Sequence, residues 1–295
     1  MRVAVIGANG QLASDLMPAL EEAQDEAVGL THDQIEVADV ESVRAALESV
    51  RPRFVINTSA YNRVDGAEEE PEAAFAVNTI GPRNLGRVCR MLDVPLLHLS
   101  TDYVFSGSKC GPYVETDAVD PVSTYGISKA AGEMALRCTC PRHFIVRSCG
   151  LYGTAGASGK GGNFVEVMLR LAQEGRAIQV VDDQTVTPTS TRTLAGQIVE
   201  LIRTDAYGTY HATCQGECTW YGFAAKIFEI SGLTPNLKPQ TTAQFGAKAT
   251  RPSYSVLENA NLKRIGIDRM PQWQDALAAY LREREATNLE KNRTA

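Results

Sequence analysis

The chain has 295 residues and a formal net charge of −6, because 29 lysines and arginines stand against 35 aspartates and glutamates. A hydrophobic fraction of 44% with 22% charged residues is ordinary globular composition, which excludes a disordered or collagen-like chain. No run approaches the roughly 18 apolar residues of a membrane span, and the acidic balance argues against nucleic acid as the main partner. Seven cysteines at irregular spacings are typical of reduced thiols in a cytoplasmic protein.

Short apolar runs alternate with amphipathic stretches through the first half of the chain. The apolar runs predict strands at 3–6, 27–31, 54–57, 96–100 and 144–147. The stretches between them predict helices at 11–22, 40–50, 71–92 and 124–137. This alternation is typical of an α/β protein with a doubly wound parallel sheet, the Rossmann fold, whose crossovers are right-handed.

The pattern changes after about residue 150, where five glycines fall within residues 153–162. Beyond this loop, helices are predicted at 164–174, 193–203 and 221–231, together with short strands at 178–181 and 209–212. We therefore predict a dinucleotide-binding domain at 1–150 and a smaller mixed α/β substrate lobe mainly at 151–282, some segments of which can return to the first domain. Residues 283–295 are charged and predict a frayed polar tail.

A glycine-rich turn joins the first predicted strand to the first predicted helix. Gly7 permits the tight turn, Gly10 lets the backbone approach a pyrophosphate, and Ala13 is small enough for the helix to pack close to the sheet. The free N–H groups and the dipole at the helix start favour phosphate. A plain glycine turn is the alternative, but strand, turn and helix fall where a dinucleotide needs them. The motif therefore predicts a dinucleotide site.

The residues that would choose between NAD and NADP are not decisive. An acid at the tip of the second strand favours NAD and an arginine favours NADP, whereas this strand ends at Thr31, His32 and Asp33. At the next loop, Asp39 either accepts a hydrogen bond from the adenine or caps the helix that begins at Val40. Both interpretations stay open.

Tyr125 and Lys129 stand at i and i+4, on one face of a predicted helix. A free tyrosine has a pKa of about 10, so it needs a nearby cation to act as an acid–base group at neutral pH. Lys129 supplies that cation and a donor for a ribose hydroxyl, while Thr101, at a strand end, can bond the substrate oxygen that Tyr125 protonates. A chance pair on an exposed helix is the alternative. The position of the pair behind a Ser-Thr strand end favours catalysis.

These motifs resemble those of the extended short-chain dehydrogenase/reductases and, within them, of the dTDP-4-dehydrorhamnose reductase family. The resemblance runs from about Met1 to Leu281. Its first-lobe motifs are Gly7-x-x-Gly10-Gln-Leu, Ile56-Asn57-x-x-Ala60-Tyr61, Val64-Asp65 with Glu68 and Asn78, Ser100-Thr-Asp-Tyr-Val-Phe105-x-Gly107 and Tyr125-Gly-x-x-Lys129. Its later motifs are Asn163-Phe-Val165, Asp182-Asp-Gln184 with Pro188-Thr189, Trp220-Tyr-x-Phe-Ala224 and Arg251-Pro252.

The resemblance implies an oxidoreductase that uses NADPH or NADH, with NADPH preferred, to reduce the C4 ketone of a dTDP-4-dehydro-6-deoxy sugar. The implied reaction converts dTDP-4-dehydro-β-L-rhamnose to dTDP-β-L-rhamnose. The implied catalytic residues are the proton donor Tyr125, Lys129, Thr101 and Asp102. The implied cofactor-binding residues are Gly7, Gly10, Gln11, Leu12, Thr31, Asp39, Val40, Ala60, Tyr61, Asn62, Ser100, Tyr125 and Lys129. The implied substrate residues are Thr101, Asp102, Gly150, Asn163 and Arg251.

One departure from the family bears on the substrate. Relatives commonly carry a tryptophan after the fifth strand, where this chain has Gly150, and the missing ring removes roughly 150–250 Å² of contact surface. A reductase or epimerase of a different nucleotide sugar is therefore one alternative, and a cofactor-binding regulatory subunit is another. Lys160, in the glycine loop, is a further candidate for a diphosphate contact. We assign no metal site, and the sequence leaves a monomer and a homodimer open.

Overall fold

The computed structural model describes residues 1–155 and 162–294, and of residues 287–294 the backbone alone. Lys160 therefore lies outside the described residues. The strands are β1 (Arg2–Ile6), β2 (Glu26–Leu30), β3 (Phe54–Asn57), β4 (Leu96–Thr101), β5 (His143–Ser148), β6 (Leu151–Tyr152), β7 (Ile178–Val181), β8 (Thr185–Val186), β9 (Thr189–Ser190), β10 (Gly208–His211), β11 (Cys218–Thr219) and β12 (Leu237–Gln240). The α-helices are α1 (Gln11–Glu22), α2 (Val40–Val50), α3 (Val64–Glu69), α4 (Pro71–Phe75), α5 (Gly81–Met91), α6 (Thr124–Thr139), α7 (Phe164–Gln173), α8 (Thr191–Leu201), α9 (Trp220–Ile230), α10 (Thr242–Phe245), α11 (Ala260–Arg264) and α12 (Trp273–Thr294).

A six-stranded parallel sheet forms the first layer, in the order β2-β1-β3-β4-β5-β10. The strands β1, β3, β4 and β5 are buried on both faces along most of their length, because helices cover both sides of the sheet. Successive side chains of a strand point to opposite sides. Val3 and Val5 pack in the core under α1 and α8, whereas Ala4 and Ile6 pack in the core under α2, α5 and α6. The predicted doubly wound parallel sheet is confirmed.

The predicted helix at 71–92 is interrupted in the structure. Between α4 and α5 the chain forms one turn of π-helix at Ala76–Ile80, which holds Asn78 fully buried. The Asn78 amide accepts a hydrogen bond from the Tyr61 N–H at 2.9 Å, and donates to the Tyr61 carbonyl and to the Ser128 hydroxyl at 3.0 Å each. The extra backbone residue of a π-turn rotates this side chain inward, an effect that apolar periodicity does not reveal.

The second lobe has its own apolar core, formed by α7, α9, α12 and the paired strands β7 and β12. Residue 150 is not a strict spatial boundary. The segment 209–212, which we predicted in the second lobe, contributes β10 to the central sheet beside β5, and α8 packs on α1. Parallel strands can pair across any length of intervening chain, so the local pattern could not place β10.

The predicted frayed tail is wrong for the backbone of residues 283–294, which continues α12 as far as Thr294. The Arg284 guanidinium bonds Glu166 of α7 at 2.7 Å, and this contact ties the helix to the second lobe. None of the described helices combines the length and the apolar character that crossing a membrane requires.

Candidate active site

A cleft of about 620 Å³ opens where the carboxyl ends of the central strands face the second lobe. This edge of an open parallel sheet is where such folds bind ligands. The cleft is lined by most of the predicted site residues, namely Gly7, Gly10, Gln11, Leu12, Thr31, Ala60, Tyr61, Asn62, Ser100, Thr101, Asp102, Tyr125, Lys129 and Gly150. From the second lobe it is also lined by Gln184, Trp220 and Ser255, which we had not predicted as site residues.

The turn after β1 has the geometry of a phosphate loop. Gly7 has a φ of +81°, and a Cβ atom there would lie 3.0 Å from the Ser59 backbone nitrogen, so the position requires glycine. Gly10 begins α1 without a capping side chain, which leaves the first N–H groups of the helix available to an anion. The buried Oε1 of Gln11 has no hydrogen-bond partner in the described part of the chain. An open helix start and an orphaned acceptor fit a dinucleotide cofactor.

Asp39 and Val40 do not line the cleft. Asp39 caps α2, since its carboxylate accepts the Glu41 N–H at 2.9 Å, and the helix-cap alternative is thus the one that the structure shows. Glu36 and Val37, from the same loop, line the cleft instead.

The start of α6 is held by polar contacts that place Tyr125 and Lys129 one turn apart along the cleft. The Ser123 hydroxyl accepts the Gly126 N–H at 3.2 Å, and Glu68 of α3 accepts the Thr124 N–H at 2.9 Å. A Cβ atom on Gly126 would lie 2.3 Å from the Tyr103 carbonyl oxygen. Glycine at this position therefore lets α6 approach the loop that follows β4.

The half-buried Tyr125 lies with the buried Thr101 and Asp102 at the centre of the cleft. Burial raises the pKa of Tyr125 to about 12, the hydrogen bond with Thr101 lowers it and the Asp102 charge raises it. The Thr101 hydroxyl donates to Asp102 Oδ1 at 3.0 Å, and the Cys149 thiol donates to Asp102 Oδ2 at 3.2 Å. Burial also raises the pKa of Asp102. The phenol therefore stays protonated at neutral pH, as a proton donor must.

Lys129 is buried, and its Nζ lies 2.7 Å from the Leu99 carbonyl oxygen and 3.2 Å from His98 Nε2. Burial lowers the pKa of Lys129 to about 8, and the charge of Glu133 opposes that shift. The interactions that shift the pKa of Tyr125 do not include Lys129, so the structure does not show the lowering that we predicted. The contacts with His98 and Leu99 hold the Lys129 amine instead.

A buried ion pair supports the strand ends under the cleft. Glu133 of α6 and Arg147 of β5 are 0% and 1% exposed, and the guanidinium bonds both carboxylate oxygens at 2.8 and 2.6 Å. Ser100 donates its hydroxyl to the same carboxylate at 2.6 Å. Glu133 is not among the residues predicted from the sequence. A charged residue on the inner face of a helix is the signal that could have identified it.

Arg251 and Asn163 do not line the cleft either. The Arg251 guanidinium bonds both carboxylate oxygens of Asp65 in α3, at 3.1 and 2.8 Å, and thereby connects the two lobes. Asn163 caps α7 and donates to the Gly153 carbonyl at 2.6 Å. Both side chains are occupied by structural contacts that join segments distant in sequence.

Gly150 lines the cleft with a φ of +57°, a left-handed conformation that favours glycine. A Cβ atom there would lie 3.3 Å from Pro188 Cα and 3.6 Å from Cη2 of the Trp220 ring. The second lobe therefore places an aromatic ring beside the position where relatives of the resembled family carry one. The space left by the missing ring at Gly150 is therefore partly filled by Trp220.

Comparison with known proteins agrees with this geometry. The family model of the RmlD substrate binding domain matches residues 1–286. The chain is 38% identical to the spore coat polysaccharide biosynthesis protein SpsK of Bacillus subtilis, over 97% of this chain and 98% of the relative. It is 39% identical to a dTDP-4-dehydrorhamnose reductase of Streptomyces griseus, over 92% and 90% of the two chains. The structure of the Bacillus anthracis dTDP-4-dehydrorhamnose reductase in complex with NADP superimposes with a TM-score of 0.91 at 36% identity, over 96% of this chain and 99% of the other.

Proposed function

The chain belongs to the RmlD substrate binding domain family, and from this premise we propose that it is an NAD(P)H-dependent reductase of the C4 ketone of a dTDP-4-dehydro-6-deoxy sugar. The proposed reaction converts dTDP-4-dehydro-β-L-rhamnose to dTDP-β-L-rhamnose. The observation that carries the proposal is that the half-buried Tyr125 and the buried Thr101 and Lys129 line the same cleft as the phosphate loop. A reductase of this kind needs a proton donor and a dinucleotide side by side.

The residues present fit a nicotinamide dinucleotide. The N–H groups at the open start of α1 would hold its diphosphate, and Lys129 would bind its nicotinamide ribose. The orphaned acceptor Gln11 Oε1 would receive a hydrogen bond from a hydroxyl or amide group of the cofactor. Thr31 and Tyr61 line the part of the cleft toward β2 and β3, where the adenosine half belongs in this fold. The bound cofactor supplies the hydride. NADPH is the cofactor we favour, because the Bacillus anthracis relative binds NADP.

The chain's own residues supply the proton and hold the ketone. Tyr125 donates its hydroxyl proton to the carbonyl oxygen as the carbon becomes an alcohol, and Thr101 holds that oxygen by a hydrogen bond. Burial keeps the phenol protonated, since it raises the pKa of Tyr125 to about 12. A positive charge on Lys129 would stabilise the phenolate that forms, and solvent returns the proton after the alcohol is released.

The substrate residues proposed are Thr101, Asp102 and Gly150, which line the cleft, and Arg251, which would contact the diphosphate. Arg251 bonds Asp65 in this structure, so contact with a diphosphate would require the guanidinium to exchange its carboxylate partner. The cysteines of the chain are free thiols, which supports a cytoplasmic location. A homodimer stays a prediction.

A different sugar nucleotide is the second candidate, and Gly150 is the observation that favours it.

Replacing Gly150 by tryptophan is expected to lower the affinity for the sugar nucleotide, because the left-handed backbone disfavours any side chain and Trp220 fills the adjacent space. Gly150→Ala separates the two causes, since it introduces the backbone strain, about 1–2 kcal/mol, without the ring. Titration of both variants with dTDP measures the effect. A rise in affinity for Gly150→Trp would contradict it.

The decisive experiment mixes the protein with NADPH, or with NADH in parallel, and generates dTDP-4-dehydrorhamnose in situ while absorbance is followed. We expect NADPH oxidation that depends on the sugar nucleotide. Tight NADP⁺ binding without oxidation would reject this substrate and favour another sugar nucleotide, and then the regulatory subunit. The presence of Thr101, Tyr125 and Lys129 together in the cleft argues for catalysis over that last alternative.

A further inference from the structure

A chain of polar side chains runs beneath the cleft from β3 through β4 to α6. It consists of Ser59, Asn57, His98 and Lys129, of which the last three are 1%, 0% and 2% exposed. Asn57 Nδ2 lies 3.0 Å from His98 Nδ1, and His98 Nε2 lies 3.2 Å from Lys129 Nζ. Side chains this deeply buried depend on one another for their hydrogen bonds, because water cannot replace a missing partner.

The direction of these hydrogen bonds is set at Ser59. Its backbone N–H lies 3.1 Å from Asn57 Oδ1, and its hydroxyl donates to the same oxygen at 2.6 Å. A backbone N–H can only donate, so the atom of the Asn57 amide that faces it is the oxygen. The Asn57 NH₂ group therefore faces His98 Nδ1 and donates to it.

This direction determines the tautomer of His98. Nδ1 accepts a hydrogen bond and so carries a lone pair, which leaves the ring proton on Nε2 as long as the ring is neutral. Burial and the neighbouring Lys129 lower the pKa of His98 well below its usual value, so the ring is neutral at physiological pH. The Nε2–H group then points at Lys129 Nζ.

A neutral amine satisfies every contact at Lys129. It accepts the His98 Nε2–H with its lone pair and donates to the Leu99 carbonyl at 2.7 Å. An ammonium has no lone pair, so its protons would oppose the Nε2–H group. If the ring proton moved to Nδ1, the Nδ1–H group and the NH₂ group of Asn57 would be two donors facing each other.

We infer that Ser59, Asn57 and His98 are positioning residues that form a directed hydrogen-bond chain, present an N–H group to Lys129 and so oppose protonation of its amine. Glu133, one turn along α6, acts in the opposite direction, and Arg147 and Arg137 share its charge. Lys129 is the charged group that acts on His98. Tyr125 and Asp102 are the other titratable groups of the cleft centre.

The consequence for the reaction rests on the proposed function, in which a positive Lys129 assists Tyr125. The pKa of Lys129 is lowered to about 8, and activity should therefore fall as the pH rises through this value, because the ammonium is lost. A lysine without these surroundings would keep its charge to a pH of about 10. Burial lowers this pKa, and the chain of hydrogen bonds acts in the same direction, so both contribute to the alkaline limit of the enzyme.

The first test is ¹⁵N NMR of the full-length protein labelled with [¹⁵N]histidine, with and without NADP⁺. The His98 signals, identified by their loss in His98→Phe, are expected to show an unprotonated Nδ1 and a protonated Nε2 at about pH 7. A protonated Nδ1 in the wild-type protein overturns the inference. This test requires neither turnover nor a sugar substrate, so a failed reductase assay would leave its result intact.

The second test is Asn57→Asp, because a carboxylate at this position accepts from His98 Nδ1–H and still receives both Ser59 bonds. We expect the ring proton of His98 to move to Nδ1. The alkaline limb of NADP⁺ binding and of activity should then rise by about one pH unit or more, which is a tenfold change in the ionisation constant of Lys129. Asn236→Asp is the matched control, since it adds the same charge at an exposed position of the second lobe that does not line the cleft, and its limb should stay in place. A limb that is unmoved in folded Asn57→Asp contradicts the inference.

Discussion

Tyr125→Phe is expected to lower kcat by about 10²–10⁴-fold while the Kd for NADPH stays within a few-fold, because the change removes the hydroxyl that donates the proton and very little volume. The phenol is half-buried, and its hydroxyl interacts with Thr101 rather than with the phosphate loop. The loss should therefore appear in turnover and not in cofactor binding. Stopped-flow NADPH oxidation with dTDP-4-dehydrorhamnose measures the first quantity, and quenching of tryptophan fluorescence measures the second.

Tyr103→Phe is the matched control for this prediction. The two rings meet edge to face with centroids 5.5 Å apart, and both line the cleft. Burial also raises the pKa of Tyr103, so it is the other phenol that could donate a proton. Tyr103→Phe is expected to keep most of the turnover. If Tyr103→Phe were inactive and Tyr125→Phe retained turnover, Tyr103 would replace Tyr125 as the proton donor.

Glu133→Ala is expected to destabilise the protein by about 3–5 kcal/mol, because it leaves the Arg147 guanidinium buried without its carboxylate. Arg147 is 1% exposed and bonds both oxygens of Glu133, and its guanidinium otherwise lies beside His211 Nε2 at 3.4 Å and over the Phe105 ring. Neither the His211 ring nor the Phe105 ring can replace the negative charge. Burial lowers the pKa of His211 to about 3, so its ring is neutral at physiological pH. Urea unfolding, followed by circular dichroism, measures the loss.

The control for this prediction is Glu229→Ala. Glu229 pairs with Lys226 on the surface of α9, where its side chain is 67% exposed, and such pairs contribute at most about 1 kcal/mol. We expect the midpoint of the Glu229→Ala unfolding curve to stay close to that of the wild type. A Glu133→Ala variant that unfolds at the same midpoint as Glu229→Ala would show that Arg147 finds another partner.

Much of the fold and part of the site could be predicted from local pattern. Buried parallel strands produce apolar runs, and amphipathic helices produce a period near 3.6, so the order of elements along the first 150 residues is visible in the chain. The phosphate loop requires glycine at Gly7 for a local reason, because a φ of +81° disfavours any residue with a side chain. Tyr125 and Lys129 share a face because residues four apart lie about one turn apart on any α-helix, whatever lies around it.

The residues that prediction misplaced have polar side chains with two plausible partners. Asp39 caps the start of α2, and Arg251 bonds Asp65, which is 186 residues away in sequence. A carboxylate or a guanidinium bonds whichever partner folding brings within about 3 Å, and spacing along the chain does not encode that distance. The residue type shows that a buried carboxylate or guanidinium must be paired, but it does not identify the partner.

The sequence by itself determined the parallel sheet, the phosphate loop and the helical pair Tyr125 and Lys129, because each is signalled by a pattern of residues close in the chain. Only the tertiary structure decided that β10 joins the central sheet, that Trp220 stands beside Gly150, and that Asn57 and His98 direct a hydrogen bond at Lys129. These features join residues tens of positions apart. Their energies depend on distance and burial, which exist only once the chain has folded.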